Sequence, residues 1–109
     1  MALKIILSNM VSFKVEGSIN NEEGVAEPFD FVLKCERLDD LQVKVKLDSG
    51  IKVQAFLLDV VRNWSGPRDA DDKPVPFSED AFKGVCNITG MAILMYQTYL
   101  QSIGAKQKN

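Results

Sequence analysis

Reactive or ligating chemistry has few candidates in this sequence. Residues 69–73 read Asp-Ala-Asp-Asp-Lys, an acidic run whose Asp69 and Asp71 stand at the first and third ligand positions of a calcium loop. Such a loop needs another oxygen donor where Lys73 falls and a glycine where Pro74 falls, so the run reads as a solvated turn. Asp39-Asp40 and Glu22-Glu23 have the residue types of an acid–base pair, but adjacent surface carboxylates serve solvation. Cys35 and Cys86 are the only cysteines and lie far apart, outside any Cys-x-x-Cys spacing; they read as two free thiols. There is no histidine. That removes the usual general base, the commonest metal ligand and the usual partner of a serine or cysteine nucleophile. Two cysteines without histidine do not build a structural zinc site, and no glycine-rich phosphate cradle occurs. The sequence predicts no catalytic residue, no metal site, no cofactor and no enzyme.

The elements that such residues would decorate belong to one small domain. A chain of 109 residues, 46% hydrophobic and 26% charged, suits a single globular unit with one modest core. The expected division is a β part over 1–38, a helical part over 39–104 and a flexible tail over 105–109. A formal charge of −2, with lysines scattered rather than striped, argues against nucleic acid as a partner. No stretch approaches the ~20 apolar residues of a membrane span, and the opening Met-Ala-Leu-Lys-Ile-Ile-Leu-Ser is too short a run for a signal peptide. The expected location is the cytoplasm, where the sequons at Asn63 and Asn87 carry no meaning.

Patterning predicts an α+β fold, strands first. Val11, Phe13 and Val15 alternate with Ser12, Lys14 and Glu16, and Phe29, Phe31, Leu33 and Cys35 with Asp30, Val32 and Lys34, which gives antiparallel strands over about 10–17 and 28–37 joined by a long polar loop. Residues 38–50 read two ways. Leu41, Val43, Val45 and Leu47 alternate as a strand would, whereas Asp39-Asp40 and Ser49-Gly50 suit the start and stop of a helix. From 52 to 64 the period is helical, with Val53, Leu57, Val60, Val61 and Trp64 on one face and Gly66-Pro67 as the stop. Ser78 fits an N-cap with Phe77 and Phe82 as a hydrophobic staple, giving a helix over about 78–87. Thr89 repeats the device with Ile88 and Ile93 before a helix over about 90–103, which Gly104 is placed to end.

Phe13, Phe31, Leu57, Val61, Trp64, Phe77 and Phe82 are the expected core. The last helix carries more apolar surface than the single stripe a surface helix buries. Met91, Leu94, Met95, Tyr96, Tyr99 and Leu100 are therefore the candidate surface for a partner or a second copy, adaptable Met and amphipathic Tyr being side chains that interfaces favour.

Several of these segments, in order, resemble the small tail assembly chaperones of long-tailed bacteriophages and prophages. They are the opening Met-Ala-Leu-Lys-Ile-Ile-Leu-Ser, residues 29–38, residues 56–64, the loop from Asp71 to Ser78 ending Pro-Val-Pro-Phe-Ser, and Ile88-Thr89-Gly90 leading into the helix at Tyr96–Leu100. The resemblance spans most of the chain. It implies an oligomerising α+β domain that binds the tape-measure protein while the tail tube grows around it, acts in the host bacterial cytoplasm and is absent from the finished particle. It also implies a helix rather than a hairpin over 39–48, and no catalytic residue. The alternatives are a minor virion component, such as a tail or head-completion protein, and an intracellular adaptor.

Overall fold

A computed structural model of the chain describes residues 2–5 and 8–106. The expected tail over 105–109 lies outside the described residues from 107 onward. Strands β1 (Met10–Asn20), β2 (Ala26–Glu36) and β3 (Val61–Ser65) form an antiparallel sheet in the order β1-β2-β3. Helices α1 (Asp40–Asp48) and α2 (Val53–Val60) connect β2 to β3, and α3 (Glu79–Cys86) and α4 (Met91–Ile103) follow. The architecture is α+β, as the patterning predicts.

The β1–β2 hairpin is longer than its alternation suggests. Its turn is residues 21–25, where the Asn21 side-chain oxygen accepts from Glu23 N at 2.9 Å and Val25 N at 3.0 Å and Gly24 takes φ +79°, a conformation that glycine adopts without strain. Register pairs Phe13 with Leu33, Val15 with Phe31 and Gly17 with Phe29, so the odd residues of both strands share one face. Pro28 sits within β2, opposite Ser18, where β3 does not reach; its missing N–H costs no ladder bond there.

The expected helix over 52–64 is corrected. It ends at Val60, and Val61–Ser65 continues as β3. β3 pairs Leu33 with Trp64 and Cys35 with Val61, the register shifting between Lys34 and Cys35. One residue more on β3 than on β2 is a bulge, and it turns both Val61 (4% exposed) and Trp64 (8%) into the core. A regular strand would put residues three apart on opposite faces. The bulge thus reproduces the i, i+3 spacing of a helix, which is why the segment reads as one. Gly66 at φ +118° ends the strand, not a helix.

Helix α4 lies along β1 on the odd face of the sheet, and α2 and α3 pack against it and each other. Tyr99 meets Phe13 at 6.1 Å between ring centroids and Phe56 at 5.8 Å, while Trp64, Phe77 and Phe82 form a second aromatic group. Trp64 Nε1 donates to Val75 O at 2.8 Å, tying the 66–78 loop to β3. Of the expected core, Phe31, Leu57, Val61, Trp64 and Phe82 are buried; Phe13 and Phe77 pack against the core half-buried. Ser78 caps α3 by accepting from Ala81 N at 3.1 Å, and Phe77 lies 6.0 Å from Phe82 across that cap. At α4 the expected cap is corrected: Gly90, at φ +84°, stands at the N-cap and Thr89 does not.

Candidate functional site

The partner surface expected on α4 is largely interior. Met91, Met95 and Tyr99 are 6%, 0% and 0% exposed; spaced four apart, they point into the core together. Leu94, Tyr96 and Leu100 are half-buried against the same core. Leu94 lies over Gly17 and Tyr96 stands edge-on to Phe56 at 5.2 Å. The correction has a physical cause: α4 lies along β1 and is flanked by α2, through Phe56, and by α3, so the interior takes up an apolar belt that the strands alone would leave uncovered. On α4 the large apolar side chain left exposed is Ile93.

A cluster of uncovered apolar side chains sits on α1. That helix buries none of its residues, and Leu41, Val45 and Leu47 are 70%, 62% and 47% exposed. The cause is the mismatch between its sequence and its conformation. Apolar residues spaced two apart fall about 200° apart around a helix, so Leu41 and Val45 form one stripe and Val43 and Leu47 another on the opposite side. A helix lying on a core can bury only one such stripe. Val43 packs against the core; Leu41 and Val45 are left outside.

α1 forms despite this pattern because its ends are well made. Asp39 accepts from Gln42 N at 2.8 Å, and Gln42 Oε1 accepts from Asp39 N at 2.9 Å, a reciprocal cap that satisfies two free amides. Gly50, at φ +75°, closes the other end. The helix begins where β2 leaves the sheet, a point fixed by Tyr99, whose hydroxyl donates to Glu36 O at 2.8 Å and accepts from Leu38 N at 3.2 Å. Lys46 reaches Asp59 of α2 at 2.9 Å, which bridges α1 to α2.

Beside the Leu41–Val45 stripe runs a cleft of about 460 Å³ with Leu38 and Val60 beneath it and Glu36, Gln42, Lys46 and Asp59 around it. An apolar floor within a polar rim is the anatomy of a surface that receives apolar side chains from another chain. On the opposite side of α1 a second cleft, about 660 Å³, is lined by Arg37, Val43, Leu100 and Ile103 among others. α1 therefore stands as a ridge between two clefts.

Comparison with family models, with curated proteins and with solved structures found no match to this chain. Its site is thus read from geometry alone.

The reactive groups are poorly placed for chemistry. Burial pushes the Cys35 thiol up to about 12 and the Cys86 thiol up to about 11, so little thiolate exists near neutrality; both are free. Asp69 of the acidic run spends its carboxylate on its own loop, accepting from Asp71 N at 2.9 Å and Lys73 N at 3.0 Å. Among the described residues no cluster of acidic or cysteine side chains converges to hold a metal, and no helix is long and apolar enough to cross a membrane. Leu41 and Val45 are the surface residues that sequence reasoning missed, with buried Leu38 and Val60 beneath them. The signal that marks them is a strand-like alternation enclosed between helix caps, since that combination must leave one stripe exposed.

Proposed function

We propose that this chain is a non-enzymatic tail assembly chaperone of a long-tailed phage or prophage, and that the cleft beside Leu41 and Val45 takes apolar side chains of the tape-measure protein. The observation that carries the reading is the exposed stripe on α1 over an apolar floor, which supports binding rather than catalysis. The resemblance of the ordered segments to the tail assembly chaperones supplies the partner. A tape-measure protein is a long, largely helical chain whose apolar surface lies open until the tube encloses it. Covering it calls for weak sites repeated along its length, so that many copies hold together and each can leave. A cleft that offers a few aliphatic contacts is suited to such modest affinity. The chain acts in the host bacterial cytoplasm and leaves before the particle is complete.

The test is co-expression with the tape-measure protein encoded nearby, followed by purification of the complex and mass analysis of finished particles. The expected result is a more soluble tape measure, a complex between the two chains, and particles that lack this chain. Two unassociated species would refute the reading, and its presence in purified particles would favour a minor virion component instead.

A further inference from the structure

We infer that the outer edge of β1 is a self-complementary interface through which two copies of this chain join their sheets. The inference goes beyond the tape-measure reading and does not rest on it.

β1 is an edge strand, since the sheet order is β1-β2-β3. It runs unbroken from Met10 to Asn20, and its ladder with β2 has no register shift. Natural edges are blunted by prolines, bulges, short length or charged side chains; β3, at the other edge, is short and bulged, whereas β1 is long and regular, and its two charges, Lys14 and Glu16, are of opposite sign. Main-chain direction follows from the two ends of the hairpin. Arg37 N donates to Asn9 O at 2.6 Å and Asn21 N donates to Val25 O at 2.9 Å, so the odd residues turn their N–H and C=O groups toward β2. The even residues Ser12, Lys14, Glu16 and Ser18 turn theirs outward, where among the described residues no strand meets them.

A two-fold pairing of β1 with its copy must match even residues with even, which centres it on a residue. Centring on Lys14 places two lysines directly opposite one another, and centring on Glu16 does the same with two glutamates; both are disfavoured. Centring on Val15, the midpoint of the strand, overlaps its whole length. It sets Lys14 of each copy opposite Glu16 of the other, Ser12 opposite Ser18, and half-buried Val11 opposite Ile19, which is 45% exposed in the single chain. Bulky Phe13 then faces Gly17, where a Cβ would already lie 2.7 Å from Phe29 Cζ. Register and charge select the same arrangement.

The single chain leaves these charges poorly served. Glu16 lies directly opposite Asp30 on β2 and Lys14 opposite Val32, and neither Lys14 nor Glu16 has an ion pair among the described residues. The copy supplies each with a partner of opposite sign. Because α4 lies along β1 on the odd face, with Leu94 over Gly17 and Tyr99 beside Phe13, pairing also brings α4 beside its copy.

Sedimentation velocity across a concentration series, on the wild-type chain and on K14E, E16K and K14E/E16K, tests this. Both positions are exposed, and far-ultraviolet circular dichroism checks that each variant is folded. The expected result is a wild-type dimer, a dissociation constant raised about tenfold or more in each single variant, because two opposite-charge pairs become like-charge pairs, and recovery in the double variant. A wild-type chain monomeric at every concentration would overturn the inference. So would single variants that dimerise as tightly as wild type, or a double variant no tighter than the singles. None of these outcomes bears on tape-measure binding, which is read in a separate assay.

Discussion

Tyr99 is where sheet, helix and candidate site meet. Its ring is fully buried, its hydroxyl joins Glu36 O to Leu38 N, and burial is the main cause that raises its pKa. Tyr99→Phe keeps the packing and leaves the buried Leu38 amide without its acceptor. A loss of about 1–3 kcal/mol is expected, read as a lower urea midpoint with an unchanged slope. Cys35 gives a second expectation at this scale. Its thiol is raised from 9.0 to about 12 by burial, the Arg62 charge opposing weakly. The neutral form is favoured in the fold, so the stability this group contributes is whole below pH 9 and is lost as pH rises toward 12. In the native state at pH 8, Cys35 should resist a disulfide-exchange reagent over hours, and unfolding in guanidinium should expose it at once. Cys86, raised to about 11 and only partly buried, should react first. Melting temperature should fall between pH 8.5 and 10.5 in wild type more than in Cys35→Ala.

At the scale of elements, α1 depends on its ends because its body contributes little burial. Asp39→Ala removes the acceptor for Gln42 N and should cost α1 about 0.5–2 kcal/mol. Since none of its residues belongs to the buried core, hydrogen exchange should quicken across residues 40–48 while the sheet amides keep their protection. How far the sequence shows the fold also depends on which element is asked. The hairpin, α3 and α4 are legible because period and composition agree: odd residues apolar in β1 and β2, Ser78 capping α3, a continuous apolar belt in α4. β3 is hidden because its bulge at Arg62 gives Val61 and Trp64 the spacing of a helix face, directly after a real helix. α1 is legible in its caps and contradicted by its alternation, and the resemblance to tail assembly chaperones is what favours the helix. The site is the least legible part. Apolar excess is visible in α4, but burial depends on what packs opposite, and that excess is absorbed by β1, α2 and α3 around it.

For the whole molecule, the consequence is a core closed on one face of the sheet, with the α1 ridge and its clefts, and the outer edge of β1, among the surfaces left open. They lie on different elements and present different chemistry, aliphatic stripe against main-chain ladder. On the two readings proposed above, one copy uses the edge to join another copy and the ridge to hold a different chain. Substitution on the ridge should leave stability nearly unchanged, within about 0.5 kcal/mol, because Leu41 and Val45 are 70% and 62% exposed. Binding and folding can thus be separated in one experiment. Isothermal titration of a helical tape-measure segment into wild-type chain and into L41Q/V45Q, with melting temperatures recorded for both, tests the central claim most directly. Saturable binding to wild type, weakened about tenfold or more in the variant at an unchanged melting temperature, is the predicted result. Equal affinity in the two proteins, or no heat of binding to wild type, would contradict it.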